Sequence, residues 1–201
     1  ENSSSPVVFT ATNEGYLHAI DGDTGRHIYS FMPPEALESV DKLMQSQVNK
    51  FYGIDGQMRL WHNDLNHDFN LLSSSNSIDS NEKLMLFFGP GRGGSSYYAL
   101  DITNREDPKL ALAINQETEG FNQLGETWST IITTNIKTAA GTPKTVSLFG
   151  GGLSAKLRDS GQSDNMGNAV YIVDTETGTL LWRISNSNSD INIKEMQNSI
   201  V

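Results

Sequence analysis

The residues best equipped for chemistry are carboxylates and amides set in short turns. Asp21-Gly22-Asp23 and Asp174-Thr175-Glu176 each place two carboxylates two positions apart, where their oxygens could share a calcium ion. A turn accounts for the same residues without a metal. The leading aspartate accepts backbone N–H groups two or three residues on, and Gly25 or Gly178 takes the left-handed conformation that closes a hairpin. Because the motif recurs, the turn is the preferred reading. His62-Asn63-Asp64-Leu65-Asn66-His67-Asp68 is the densest run of potential ligands. Its two histidines, five apart, do not have zinc spacing, so the run reads as a solvated insertion. Asp159, Asp164 and Asn165, with Asn168, fall on a polar stretch expected to be a long loop. They are the first choice for a weakly held calcium, which tolerates flexible oxygen ligands. The full D-x-D-x-D-G pattern is not found, and no Ser/His/Asp or Cys/His arrangement suggests catalysis. No catalytic or cofactor-binding residue is assigned.

Gly89-Pro90-Gly91-Arg92-Gly93-Gly94 contains a formal G-x-G-x-x-G. A dinucleotide fingerprint needs a helix after its glycines, whereas the following SSYYALDIT reads as a strand. The glycines are therefore read as a wide turn.

The elements that position these residues repeat. The stretch 15–31 reads as two strands around the turn at Asp21. NAVYIVDTETGTLLW repeats it, with Asp174 on Asp21, Gly178 on Gly25 and Trp182 on Tyr29. SYYALD is a third copy, with Asp101 on Asp21. An apolar burst precedes each copy (VVFT, LFFG, SLFG), and candidate strands at 51–61 and 128–136 precede the last two. The unit is a four-stranded meander, A to D, recurring at roughly 75 residues, longer than compact propeller blades. Such a unit cannot bury both faces alone, and radial stacking solves this. The expected fold is all-β: part of one quinoprotein-like β-propeller domain spanning 1–201. Its units lie at about 7–31, 51–114 and 128–184, the first lacking strand A. PPEALESVDKLMQSQV switches to helical period, with Leu37, Val40, Met44 and Val48 on one face. It is read as a helix inserted at 34–48. Further insertions fall at 63–82 and 153–166, and 185–201 is a linker into a further blade. Three units do not close a propeller, so the sequence reads as a portion of a longer repeat domain. Trp61, Trp128 and Trp182 are expected at strand positions, packing between blades.

The charge is −10 and the sequence pI about 4.7, which argues against nucleic acid and anionic lipid as partners. Cysteine is absent, so there is neither a disulfide framework nor a thiolate metal site. No apolar run approaches the ~18 residues of a membrane span.

Three blocks in order carry a more particular resemblance. VVFTATNEGYLHAIDGDTGRHIYSFMP runs into the helix and then FYGIDG; FFGPGRGGSSYYALDIT follows; LGETWST, VSLFGGG and GNAVYIVDTETGTLLW complete the set. Together, over about 7–182, they resemble the PilC/PilY family of type IV pilus tip proteins. The resemblance implies a modified β-propeller in the C-terminal domain of a large secreted protein, at the pilus tip and outer-membrane surface of a Gram-negative bacterium. It implies a non-enzymatic role: supporting pilus assembly, opposing retraction, and adhesion in virulence. The implied partners are minor pilins or other tip components and a host receptor or surface. The family carries a calcium loop after a segment like EMQNSIV, so calcium is expected beyond Val201 and no ligands are carried over. The Arg-Gly-Asp tripeptide of some members is absent.

Two other classes share the A-x-D-x-x-T-G hairpin or the propeller. One is a pyrroloquinoline-quinone-dependent dehydrogenase, against which stand the missing vicinal cysteines and cofactor floor. The other is the scaffold propeller of an outer-membrane assembly lipoprotein, whose blades are compact where these carry insertions.

Overall fold

A computed structural model describes residues 5–38, 40–41, 52–71, 82–162 and 166–185. The described strands form three antiparallel sheets. β1 (Val7–Ala11), β2 (Leu17–Asp21) and β3 (His27–Phe31) make a three-stranded first sheet. β4 (Met58–Asn63), β5 (Lys83–Phe88), β6 (Tyr97–Asp101) and β7 (Lys109–Ile114) pair in sequence order in the second. β8 (Ile132–Lys137), β9 (Pro143–Gly150), β10 (Ala169–Asp174) and β11 (Leu180–Ser185) do the same in the third.

The core explains why the second sheet reads as a continuous apolar run. Side chains alternate across a strand, so β5 and β6 supply both faces. Met85, Phe87, Tyr97 and Ala99 pack with Phe121, Phe149 and Tyr171 toward the third sheet. Leu86, Phe88, Tyr98 and Leu100 pack with Leu17 and Ile54 toward the first. The second sheet is thus the buried middle layer of a face-to-face stack. The aromatic contacts are close: the rings of Tyr97 and Phe149 lie 4.6 Å apart and those of Phe121 and Tyr171 4.9 Å apart.

The three C–D hairpins also share an irregularity that the alignment of the aspartates did not reveal. Each is bulged at the same place: pairing skips a residue between Ala19 and Ile20, between Ala99 and Leu100, and between Ile172 and Val173. The residues looped out are Ile28, Ala111 and Leu181. A bulge sharpens the local twist just before the turn, which places the three turns comparably at one end of the stack.

Several local expectations are corrected. Strand A of the second unit starts at Met58 rather than near Phe51, and that of the third at Ile132 rather than Trp128. The residues before each strand bond elsewhere, as described below. Trp61 lies in β4 and packs against the core, but Trp128 lies outside the strands, and Trp182, in β11, is 42% exposed. Trp182 pairs with Ile172 and so sits on the face opposite Tyr171. The inserted helix begins as expected with α1 (Pro34–Leu37), with Pro33 at its N-cap and Glu35 in the first turn. Its buried residue is Ala36, whereas Leu37 is 64% exposed. Val40 is half-buried; Met44 and Val48 lie outside the described residues. So does the linker from 186 on. The loop expected at 153–166 instead contains a short helix, α2 (Ala155–Ser160).

Candidate functional site

At one end of the stack, the connection entering each strand A is held between two turns. Ile54 N–H donates to Thr12 O in the β1–β2 turn, and Asp55 N–H donates to Pro90 O in the β5–β6 turn. One unit on, Thr127 N–H donates to Gly94 O in the β5–β6 turn, and Glu126 N–H donates to Leu153 O beyond β9. The two connections make the same pair of links, one to the preceding unit and one to their own.

The glycine-rich stretch is therefore a packing device. A Cβ on Gly93 would fall 1.7 Å from Gly53 O, and one on Gly56 2.1 Å from Gly89 O. Gly91 N–H donates to Thr127 Oγ1 at 3.2 Å, and Arg92 N–H to Asp55 Oδ1 at 2.8 Å. The Arg92 guanidinium covers the rings of Tyr52 and Trp128, with centroids 4.8 and 5.1 Å away. The backbone amides that a nucleotide phosphate would use are partly taken, and β6 follows where a dinucleotide fold has a helix.

Two carboxylates at this end make contacts that the sequence did not indicate. Glu126 is buried and pairs with Arg158 of α2, while Trp128 Nε1–H donates to its Oε2 at 3.1 Å. Glu35 accepts a hydrogen bond from Ser96 Oγ at 2.9 Å and lies against Gly94. Burial raises its carboxyl above the ordinary glutamate range, with the Ser96 hydrogen bond opposing. Asp159 is exposed and paired with Arg158, whose hydrogen bond lowers its carboxyl. Asn168 is buried, and Asp164 and Asn165 lie outside the described residues.

The opposite end carries the C–D turns. Asp21 Oδ1 accepts from Asp23 N–H, Thr24 N–H, Thr24 Oγ1 and Ser5 Oγ. Asp174 Oδ1 accepts from Glu176 and Thr177 N–H, and Asp101 Oδ1 from Thr103 N–H. Gly25 and Gly178 have φ of 70° and 69°. These bonds are the turn chemistry read from the sequence. Ion pairs then join the turns to their neighbours: Arg105 to Asp21, and Lys83 to Glu176 at 3.3 Å.

The insertion after β4 reaches this same end. His62 and Asn63 close the strand, and Glu82, just before β5, is buried. Carboxylate oxygens of Asp64, Asp68 and Glu82 lie within 4.8 Å of one another. His62 Nε2 is 3.5 Å from Glu82 Oε2. The expected solvated insertion thus has a buried acidic floor. The signal in the sequence was the alternation of oxygen-bearing side chains at 64, 66, 68 and 70.

A cavity of about 680 Å³ opens where the first sheet lacks a strand A. It is lined by Val7, Phe9, Leu60, Trp61, Leu86 and Ile132, among others.

Meanders stacked face to face, with repeated bulged hairpins and interlocked turns, define a partial, modified quinoprotein-like β-propeller. The chain is similar to proteins described as type IV pilus biogenesis factors. The chain is 26% identical over 186 residues to a Type IV pilus biogenesis factor PilY1 homolog of Xylella fastidiosa (strain Temecula1), covering 91% of this chain and 11% of that protein. It is 26% identical over 184 residues to Type IV pilus biogenesis factor PilY1 of Pseudomonas aeruginosa (strain UCBPP-PA14), covering 90% and 14%. A second Xylella fastidiosa PilY1 homolog matches at 28% over 107 residues, 52% of this chain and 8% of the relative. No family model matches. Among solved structures, the crystal structure of the Pseudomonas aeruginosa PilY1 C-terminal domain superposes with a TM-score of 0.59 at 22% identity, over 93% of this chain and 32% of that one. The resemblance to the PilC/PilY family is borne out, in sequence over nine-tenths of the chain and in fold by the PilY1 C-terminal domain. The chain spans 8–14% of the length of these curated relatives. No described helix is long and apolar enough to cross a membrane.

Proposed function

We propose that this chain is part of the propeller of a type IV pilus biogenesis protein. It acts without covalent catalysis, as a rigid surface that supports pilus assembly and opposes retraction. The observation that carries the reading is the alignment of nine-tenths of the chain with PilY1 proteins. The geometry supports it: sheets locked by backbone bonds at one end and ion pairs at the other form a scaffold from which the sequence insertions depart. Minor pilins or other tip components dock on those insertions at the outer surface of the bacterium. Adhesion to host cells or other surfaces uses the same loops.

The test is complementation of a strain lacking the full-length protein with versions deleted for residues 63–82 or 153–166. Immunoblots first establish that each version accumulates. We expect surface pili to be lost in at least one version and restored when the retraction motor is also removed. Wild-type piliation and adhesion in both would overturn the assignment of docking to these insertions. Normal piliation in the strain lacking the protein altogether would overturn the pilus reading itself.

A further inference from the structure

We infer that residues 64–70 and Glu82 form a calcium-binding site. The sequence Asp64-Leu65-Asn66-His67-Asp68-Phe69-Asn70 places side-chain oxygens on alternate residues. A calcium loop of the EF-hand sort takes ligands from its first, third and fifth side chains and its seventh backbone carbonyl, turns sharply at the sixth, and closes the sphere with a later carboxylate. Phe69 occupies the sixth position with φ of 57°, the left-handed conformation usually left to glycine. Asp64 Oδ1 accepts Asp68 N–H at 3.2 Å and Asp64 Oδ2 accepts Phe69 N–H at 3.0 Å, curling the loop about its first carboxylate.

These features describe a loop; Glu82 points to a ligand. Its side chain is 1% exposed, and neither carboxylate oxygen has a hydrogen-bond partner. One of its oxygens lies within 4.8 Å of oxygens of both Asp64 and Asp68. An ionised carboxylate buried without a donor is costly, and two more carboxylates beside it add repulsion. A divalent cation among the three removes both costs. His62 Nε2 is also buried without a hydrogen bond, 3.5 Å from Glu82 Oε2, so a protonated His62 is the competing source of positive charge. The donors are mainly hard oxygens, with two histidines, His62 and His67, in the same stretch and no thiolate in the chain, which favours calcium over zinc.

The test is isothermal titration of the full-length protein with calcium chloride and, separately, zinc chloride, alongside melting curves. The variants are Glu82→Gln, Asp68→Asn, His62→Gln and the control Asp107→Asn, on an exposed turn. Asp68 is exposed, so its variant is expected to fold even if Glu82→Gln does not. We expect Glu82→Gln to lose one equivalent of calcium and Asp68→Asn to weaken that equivalent at least tenfold. The control keeps it, and calcium raises the wild-type melting temperature. Unchanged calcium stoichiometry and affinity in Asp68→Asn would overturn the site. So would an equivalent filled by zinc alone, or calcium indifference with destabilisation by His62→Gln, which would assign Glu82 to an ion pair with His62.

Discussion

Arg105, on the turn after β6, forms an ion pair with the buried carboxylate of Asp21, the last residue of β2. Arg105 Nη1 donates to Ser5 O at 2.9 Å. The Asp21 carboxyl is held well below the ordinary aspartate range, chiefly by the Thr24 hydroxyl and the Thr24 backbone N–H. Burial opposes this, and Ser5 and Arg105 add to it. A depressed folded-state pKa gives stability that is present above the unfolded value, near 4, and is lost as pH falls toward the folded value. We therefore expect Asp21→Asn to lower the melting temperature at pH 7 and to narrow that deficit in acid. Melting curves from pH 7 to pH 3 check this; a deficit independent of pH would contradict it.

Glu35 carries the opposite sign. Its folded-state pKa is raised by burial, so ionisation costs stability as pH rises from the unfolded value through the folded one. Replacement by glutamine removes that cost. Glu35→Gln is expected to melt higher than wild type at pH 7 to 8 and to lose the advantage near pH 4. A variant less stable at pH 8 would show that the carboxylate is needed in its charged form.

Gly93 and Gly141 separate crowding from backbone conformation. Alanine at 93 would drive its Cβ into Gly53 O, for an expected cost on the order of 3 kcal/mol or more. Gly141 has φ of 79° but open space around it, so Gly141→Ala should cost only about 1 kcal/mol. Denaturant unfolding of both variants measures the difference.

Tyr97 ties the second sheet to the connection that enters β8 through its hydroxyl, which donates to Ser129 O at 2.7 Å. Tyr97→Phe keeps the ring against Phe149 and loses only this bond, for an expected cost of about 1–2 kcal/mol. Tyr97→Ala would also lose the packing and should cost about 3–5 kcal/mol.

The hairpins were legible because a turn is local: Asp21 and Gly25 are four residues apart, and the bonds that close the turn lie between them. The apolar burst before Gly89 reads as one strand of three alike; its burial on both faces depends on the sheets either side and emerges only from the packing. Trp128 was misplaced because LGETWST has strand-like composition while its N–H groups serve two turns. Leu37 was assigned to a buried face by helical period, but the contact is made by Ala36, small enough to approach Gly15. The floor of the insertion was missed because Glu82 meets Asp64 only in space. A solvated loop and a ligand-bearing one look alike until a distant carboxylate closes beneath them.

The doubly bonded connections also decide where such repeats can be exchanged. A chimera cut between sheets, just before strand A, would separate 52–56 or 125–128 from one of the two turns each serves. A junction between strands A and B would sever the same bond, because Pro90 and Leu153 lie beyond strand B. Recombination of blades among relatives should therefore succeed only where the incoming connection and the B–C turn it meets are matched, whether the seam falls before strand A or between strands A and B.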